Sequence, residues 1–142
     1  HRVPMIARWP GKIKASSTTN HISAFWDLLP TVCDVIDAAP PKDIDGISFL
    51  PTLLSASSEQ KNHDYLYWEF HEGRNSSQAV RSGKWKAVRL APSRPIELYD
   101  LSVDVGEQQN IAGENVGIVA RMKELLDTTR TPHDIWPLKD AS

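Results

Sequence analysis

A single cysteine in 142 residues removes two classes of explanation at the outset. Cys33 has no partner for an internal disulfide and no companions for a thiolate zinc cluster. It stands in the apolar run 28–36, where a buried structural thiol is the expectation. No stretch approaches the roughly 18 consecutive apolar residues of a membrane span. A net charge of −2 creates no global field pointing to nucleic acid or a membrane surface. Internal repeats and low-complexity tracts are absent. One local absence stands out. Between Gly73 and Ile96 there is no acidic residue, yet Arg74, Arg81, Lys84, Lys86, Arg89 and Arg94 all fall there.

What is present is an ordinary globular composition, 40% hydrophobic and 24% charged, in a chain long enough to bury a core. Val3–Ala7 is apolar without alternation and is closed by Trp9-Pro10-Gly11, which predicts a short strand buried on both faces. Such a strand needs neighbours, and the rest of the chain offers no evident parallel partners. His21–Trp26 predicts a second short strand. Asp27 is then expected as the N-cap of a helix over 28–37, with Leu28, Leu29, Val32, Val35 and Ile36 on one apolar stripe. Phe49, Leu50, Leu53 and Leu54 predict one or two helical turns. The polar loop Ser55–Asn62 is the best internal boundary, dividing the chain into 1–58 and 59–142.

The second half changes character. Strands are expected at about Tyr65–Phe70, Gln78–Arg81, Lys84–Leu90 and Ile96–Leu101. Ser82-Gly83 reads as the two-residue loop of a hairpin, which sets Val80 opposite Trp85. Ile118, Val119, Met122, Leu125 and Leu126 mark an amphipathic helix at about 117–128, capped by Asn115. The fold class is therefore α+β: a small four-stranded antiparallel sheet packed by a C-terminal helix, preceded by a strand-helix segment.

The runs "RVPMIARWPGKI", "DLLPTVCDVIDAAP", "DGISFLPTLL", "YLYWEF", "AVRSGKWKAVR" and "ELYDLSVDVGEQQNIA" follow one another as they do in the C-terminal part of type I sulfatases. The chain resembles these arylsulfatases of the alkaline phosphatase superfamily from about Arg2 to Leu126. The resemblance implies that Val3–Ala7 belongs to the central α/β sheet of a larger enzyme. Residues 1–58 would be the end of its catalytic domain and 59–142 its C-terminal subdomain. His1 stands where the family often has Gly. The family's usual Asp-Pro is Asp104-Val105 here, while Asp104, Glu107 and Asn110 remain, expected to bond a loop backbone.

The resemblance further implies sulfate-ester hydrolysis with a formylglycine and Ca2+. Neither can be located in this sequence. Cys33 is followed by Asp34-Val35-Ile36-Asp37, without the Pro and Arg of the Cys/Ser-x-Pro-x-Arg signature. Asp34 and Asp37 are expected as solvated acids, because calcium gathers six to eight oxygens from several segments. No catalytic residue, metal ligand or cofactor is assigned within the chain, which alone is expected to be inactive. The implied partners are a sulfated carbohydrate or other sulfate ester and the N-terminal catalytic domain of the same protein; independently of the resemblance, the unpartnered strand Val3–Ala7 leaves room for self-association of the chain by edge pairing. Nucleic acid and membrane are not among them. The family implies a periplasmic, secreted or lysosomal-type location.

Two groups of residues are candidates for binding. The loop "FHEGRNSSQ" carries His71, Glu72 and Arg74, and in the resembling enzymes the C-terminal sheet lies beside the active-site mouth. His71 is suited to donate to a sugar hydroxyl or sulfate and Arg74 to pair with an anion. The competing reading is a polar surface loop. Arg81, Lys84 and Lys86 are candidates for a polyanion patch on the hairpin, against a solvated face with edge-blocking lysines. Trp68 and Trp85 read as core rather than sugar platforms. His1, His21, His63 and His133 are scattered and carry no assigned role. Two other functions fit the sequence: a non-catalytic carbohydrate- or polyanion-binding module, and the tail of a phosphonate or phosphodiester hydrolase.

Overall fold

The computed structural model describes residues 3–71 and 73–140. They fall into two compact units, His1–His63 and Asp64–Ser142. The division lies a few residues beyond the 58/59 boundary placed from the sequence.

The first unit departs from expectation at its start. Val3–Ala7 forms no strand, and Val3 and Ile6 are 82% and 95% exposed. A ladder needs a second edge, and no described residue supplies one. His21–Trp26 is not a strand either. Its end tightens into a 3-10 turn, Phe25–Asp27, which runs straight into helix α1, Leu28–Val35. Helix α2, Leu50–Leu53, follows.

Asp27 stands at the N-cap position of α1, yet its side chain caps nothing there. The fully buried carboxylate turns backwards instead. Oδ2 accepts from the Ala24 N–H at 2.7 Å and Oδ1 from the Ile47 N–H at 2.9 Å. His63 Nε2 sits 2.9 Å from Oδ1. Thr31 completes the tie, donating to the Asp27 carbonyl at 2.6 Å and accepting from the Phe49 N–H at 3.0 Å. Gly46 permits this approach: a Cβ there would lie 2.4 Å from the Trp26 carbonyl oxygen. The apolar stripe of α1 faces outward. Leu29, Val32 and Ile36 are exposed, while Pro30, Thr31 and Cys33 are buried.

The second unit is the expected α+β layer. Strands β1 Leu66–Phe70, β2 Ser77–Ser82, β3 Trp85–Arg89 and β4 Glu97–Asp100 form an antiparallel meander in chain order. Helix α3, Val116–Thr128, covers one face. Val80, Ala87, Leu98, Met122 and Leu126 are essentially inaccessible and form the core, ringed by Tyr67, Trp85, Ile96, Ile118 and Leu125. Fully burying each large apolar side chain contributes about 1.5–3 kcal/mol. Asn115 precedes α3 without capping it, because its side-chain amide donates to the Ile111 carbonyl.

The hairpin loop is Gly83-Lys84 rather than Ser82-Gly83. Gly83 has φ +57° at the first central position, where a II′ turn takes glycine. Ser82 therefore pairs with Trp85 and Val80 with Ala87. The partners slip by two residues, so facing is preserved and Trp85 stays on the core side. No described helix is long and apolar enough to cross a membrane.

Candidate functional site

Alternation along β1 sends Tyr67, Glu69 and His71 to the face covered by α3. Gln78 lies opposite Glu69, and Arg89 opposite Gln78, so five polar side chains share one row. Their bonds close on one another. Gln78 is 1% exposed, and its Nε2 donates to the Tyr67 hydroxyl at 2.6 Å and to the Leu126 carbonyl at 3.3 Å. Its Oε1 accepts from Arg89 Nε and Nη2 at 3.0 and 2.7 Å. Arg89 Nη1 reaches Asp127 of α3 at 2.9 Å. The Asp127 carboxyl is held below its ordinary value by its bond to Lys123 and by Arg89, against the opposing effect of burial. Burial, with a donated bond to Glu69, pushes the Tyr67 hydroxyl well above the usual phenol range.

His71 extends this row into the loop. Nε2 lies 2.7 Å from Glu69 Oε2, and Nδ1 lies 2.8 Å from Ser76 Oγ. Both ring nitrogens are thereby engaged, one by a carboxylate and one by a hydroxyl. Ser76 also takes the Lys139 N–H on its Oγ and donates its own N–H to the Lys139 carbonyl, both at 2.8 Å. Serine, histidine and carboxylate in series invite comparison with a nucleophilic triad. Ser76 is inaccessible and its oxygen is already engaged by the tail, so it is a tie and not a nucleophile.

The tail after α3 is strapped over this row. Arg130 Nε lies 2.7 Å from Glu69 Oε1, an ion pair whose N–H is not aimed at the oxygen. The Arg130 guanidinium also donates to the Trp136 carbonyl. The Trp136 ring lies 5.9 Å from the His71 ring at an angle of 43°.

These contacts redistribute the sequence candidates. His71 has both ring nitrogens engaged, by Glu69 and Ser76, and takes part in the strap. Arg74 is exposed on the loop that the strap fixes. Glu72 lies outside the described residues. The proposed polyanion patch is not assembled. Arg81 and Lys86 do share a face, but Lys86 is 5% exposed and bonded to both oxygens of Glu107, at 2.5 and 2.6 Å. Lys84 bonds Asp100 at 2.6 Å and lies 4.4 Å over the Trp85 ring. Arg81 Nε donates to the Gly83 carbonyl. The stretch free of acids in sequence receives acids in space. Asp104 and Asn110 bond loop backbone as expected, Asp104 by accepting the Gln108 and Gln109 N–H groups and Asn110 by accepting those of Leu98 and Ala112, whereas the Glu107 carboxylate is taken by Lys86.

Sequence reasoning missed Ser76, Glu69, Arg130 and Trp136. Tail residues 129–140 carry no periodicity, so nothing marked them as a partner for β1. In the first unit, Asp34, Asp37 and Glu59 line an open groove of about 530 Å³. Among the described residues no three His, Cys, Asp or Glu side chains are arranged to hold a metal ion.

Comparison with known proteins fits this architecture. The family model for N-sulphoglucosamine sulphohydrolase, C-terminal, matches residues 1–132. The Delta 4,5-hexuronate-2-O-sulfatase of Bacteroides thetaiotaomicron is 33% identical over 147 aligned residues, covering 96% of this chain and 30% of that protein. Human arylsulfatase A is 29% identical, covering 88% of this chain and 29% of its own length. A protein solved in complex with its substrate, D-glucosamine-2-N,6-O-disulfate, superposes with a TM-score of 0.70 at 28% identity, covering 86% of this chain and 26% of that one. The chain thus spans under a third of the length of each relative.

Proposed function

The chain belongs to the N-sulphoglucosamine sulphohydrolase C-terminal family, and on that premise we propose that it is the C-terminal part of a sulfatase acting on sulfated carbohydrates. The observation that supports this most is coverage: the family model runs across both compact units, from the first residue to beyond α3. In this reading the chain supplies no nucleophile. Formylglycine and calcium enter through the family resemblance alone. Among the described residues no three His, Cys, Asp or Glu side chains are placed to hold the metal. The chain alone is therefore inactive, and its part in the enzyme is to shape substrate binding.

The contribution assigned to it is Arg74, presented between two tied residues, His71 and Ser76. A loop fixed at His71 and Ser76 loses little entropy when it meets a ligand. An arginine on such a loop suits a sulfate or carboxylate away from the scissile bond. Losing uniform binding raises KM and leaves kcat nearly unchanged. One charge-assisted bond is worth about 1.5–3 kcal/mol, or at least about tenfold. In the full-length protein, Arg74→Ala should raise KM for a sulfated oligosaccharide at least about tenfold more than for a small aryl sulfate. Equal effects on both substrates would return the loop to a merely polar surface. Absence of sulfate-ester turnover by the wild-type protein would overturn the function itself.

A further inference from the structure

Trp136 is 57% exposed, yet the chain around it is fixed by polar ties on both sides. Upstream, Arg130 holds the Trp136 carbonyl while paired with Glu69. The Trp136 N–H donates to the His133 carbonyl at 3.2 Å. Downstream, Lys139 is clamped to Ser76 by two hydrogen bonds. One part of the indole rests against His71, and more than half of the residue remains open to solvent. A large aromatic ring held in this way is an unfavourable surface feature unless something covers it.

The exposed side chains of α1 differ from it, because they form a continuous apolar stripe. Trp136 stands beside one other exposed apolar residue, Ile135, but the groups that hold it are polar: its ring meets His71, its carbonyl takes Arg130, and the tail beyond it is bonded through Lys139 to Ser76, at the end of the loop that carries Arg74. A covering protein surface would call for a broader apolar surround. A pyranose ring suits an indole with polar contacts on both sides better. Its C–H face is apolar, its rim is rich in hydroxyls, and its sulfate or carboxylate substituents match neighbouring cations.

We infer that Trp136 is a stacking platform for a pyranose ring of a sulfated oligosaccharide, with Arg74 on the adjoining loop receiving an anionic substituent. The inference rests on the carbohydrate-sulfatase reading and adds to it a sugar subsite remote from the scissile ester. The strap explains why the platform is effective. Glu69, His71 and Ser76 hold the tail in place before ligand arrives, so binding need not order it.

The test uses the full-length protein, a small aryl sulfate, and a panel of sulfated glycosaminoglycan di- and tetrasaccharides. Trp136→Ala should raise KM for the tetrasaccharide hydrolysed fastest at least about tenfold more than for the aryl sulfate, and Trp136→Phe should restore most of the loss. The indole N–H resonance of Trp136 should shift when the same oligosaccharides are titrated. Equal penalties on both substrates, or an indole resonance that stays put at saturating oligosaccharide, would overturn the platform while leaving the sulfatase reading intact. Should the wild-type protein hydrolyse no sulfate ester, that reading falls and the indole titration decides the platform alone. If the alanine variant fails to fold, Trp136→Phe and the titration take its place.

Discussion

Gln78 is the residue whose replacement tests the buried row most sharply. Gln78→Leu keeps the volume and removes four hydrogen bonds, two of them from the Arg89 guanidinium. Arg89 is 7% exposed, so its Nε and Nη2 would be left without an acceptor away from water. Breaking one side of a buried charged contact costs about 3–5 kcal/mol, most of it the penalty on the group left behind. Small domains hold about 5–15 kcal/mol in total, so the variant should keep only part of its stability. With an m-value of about 1.5 kcal/mol/M, the urea midpoint of the second unit should fall by about 2–3 M. Amide exchange across β2 and β3 would report that unit separately. Gln78→Leu combined with Arg89→Met removes both partners and should recover at least about 2 kcal/mol relative to the sum of the single changes. A cost under about 1 kcal/mol for Gln78→Leu, or simple additivity in the double variant, would refute the view that these bonds hold the layer together.

The Tyr99 hydroxyl is pushed up to about 12 by burial and by its bond to Glu97. The unfolded phenol ionises near 10, so its contribution is fully present below that pH and is lost as pH rises towards the folded value. Stability of the second unit should therefore decline above about pH 10, and Tyr99→Phe should flatten that limb in urea titrations read by circular dichroism. In the first unit, Gly46→Ala drives a methyl into the Trp26 carbonyl and pushes Ile47 off Asp27. It should destabilise that unit by about 1–3 kcal/mol, seen as lost exchange protection of the Ile47 amide, and unchanged protection would contradict the tie.

Legibility differed between the two units for a physical reason. In the second, alternation and helical spacing report burial that the unit itself provides. Four strands and a helix over 116–128 were therefore readable to within a residue or two, and an error in the hairpin loop left every facing intact. In the first, apolar residues are present without the surfaces that would bury them. Val3–Ala7 and the stripe of α1 look internal in sequence and are exposed in the structure. Asp27 was read as a cap because local rules favour Asp there. A contact made 36 residues away, with His63, claims its carboxylate instead.

The candidate site was less legible because its defining contacts join distant segments. The "FHEGRNSSQ" loop was singled out for its charges, yet its conformation is set by Ser76 bonding Lys139, 63 residues on, and by Arg130 meeting Glu69. The basic run after Gly73 shows the same effect with opposite sign. Arg81, Lys84 and Lys86 read as a free basic cluster only when written as a line, although Arg81 and Lys86 do face one another across the hairpin. Once β4 and its following loop return, Asp100 and Glu107 sit against Lys84 and Lys86, and Lys86 is buried by the pairing. A long polyanion passing over this hairpin would find the Lys84 and Lys86 charges already paired with acids. In the proposed subsite a short oligosaccharide would meet the exposed Arg74 and the Trp136 indole. The proposed subsite at Trp136 and Arg74 would accordingly recognise a few sugar units rather than sulfated chains in general. Salt dependence separates the two: a surface that captured polyanions by charge alone would lose affinity steeply as ionic strength rises, whereas a stacked sugar with one ion pair would lose little.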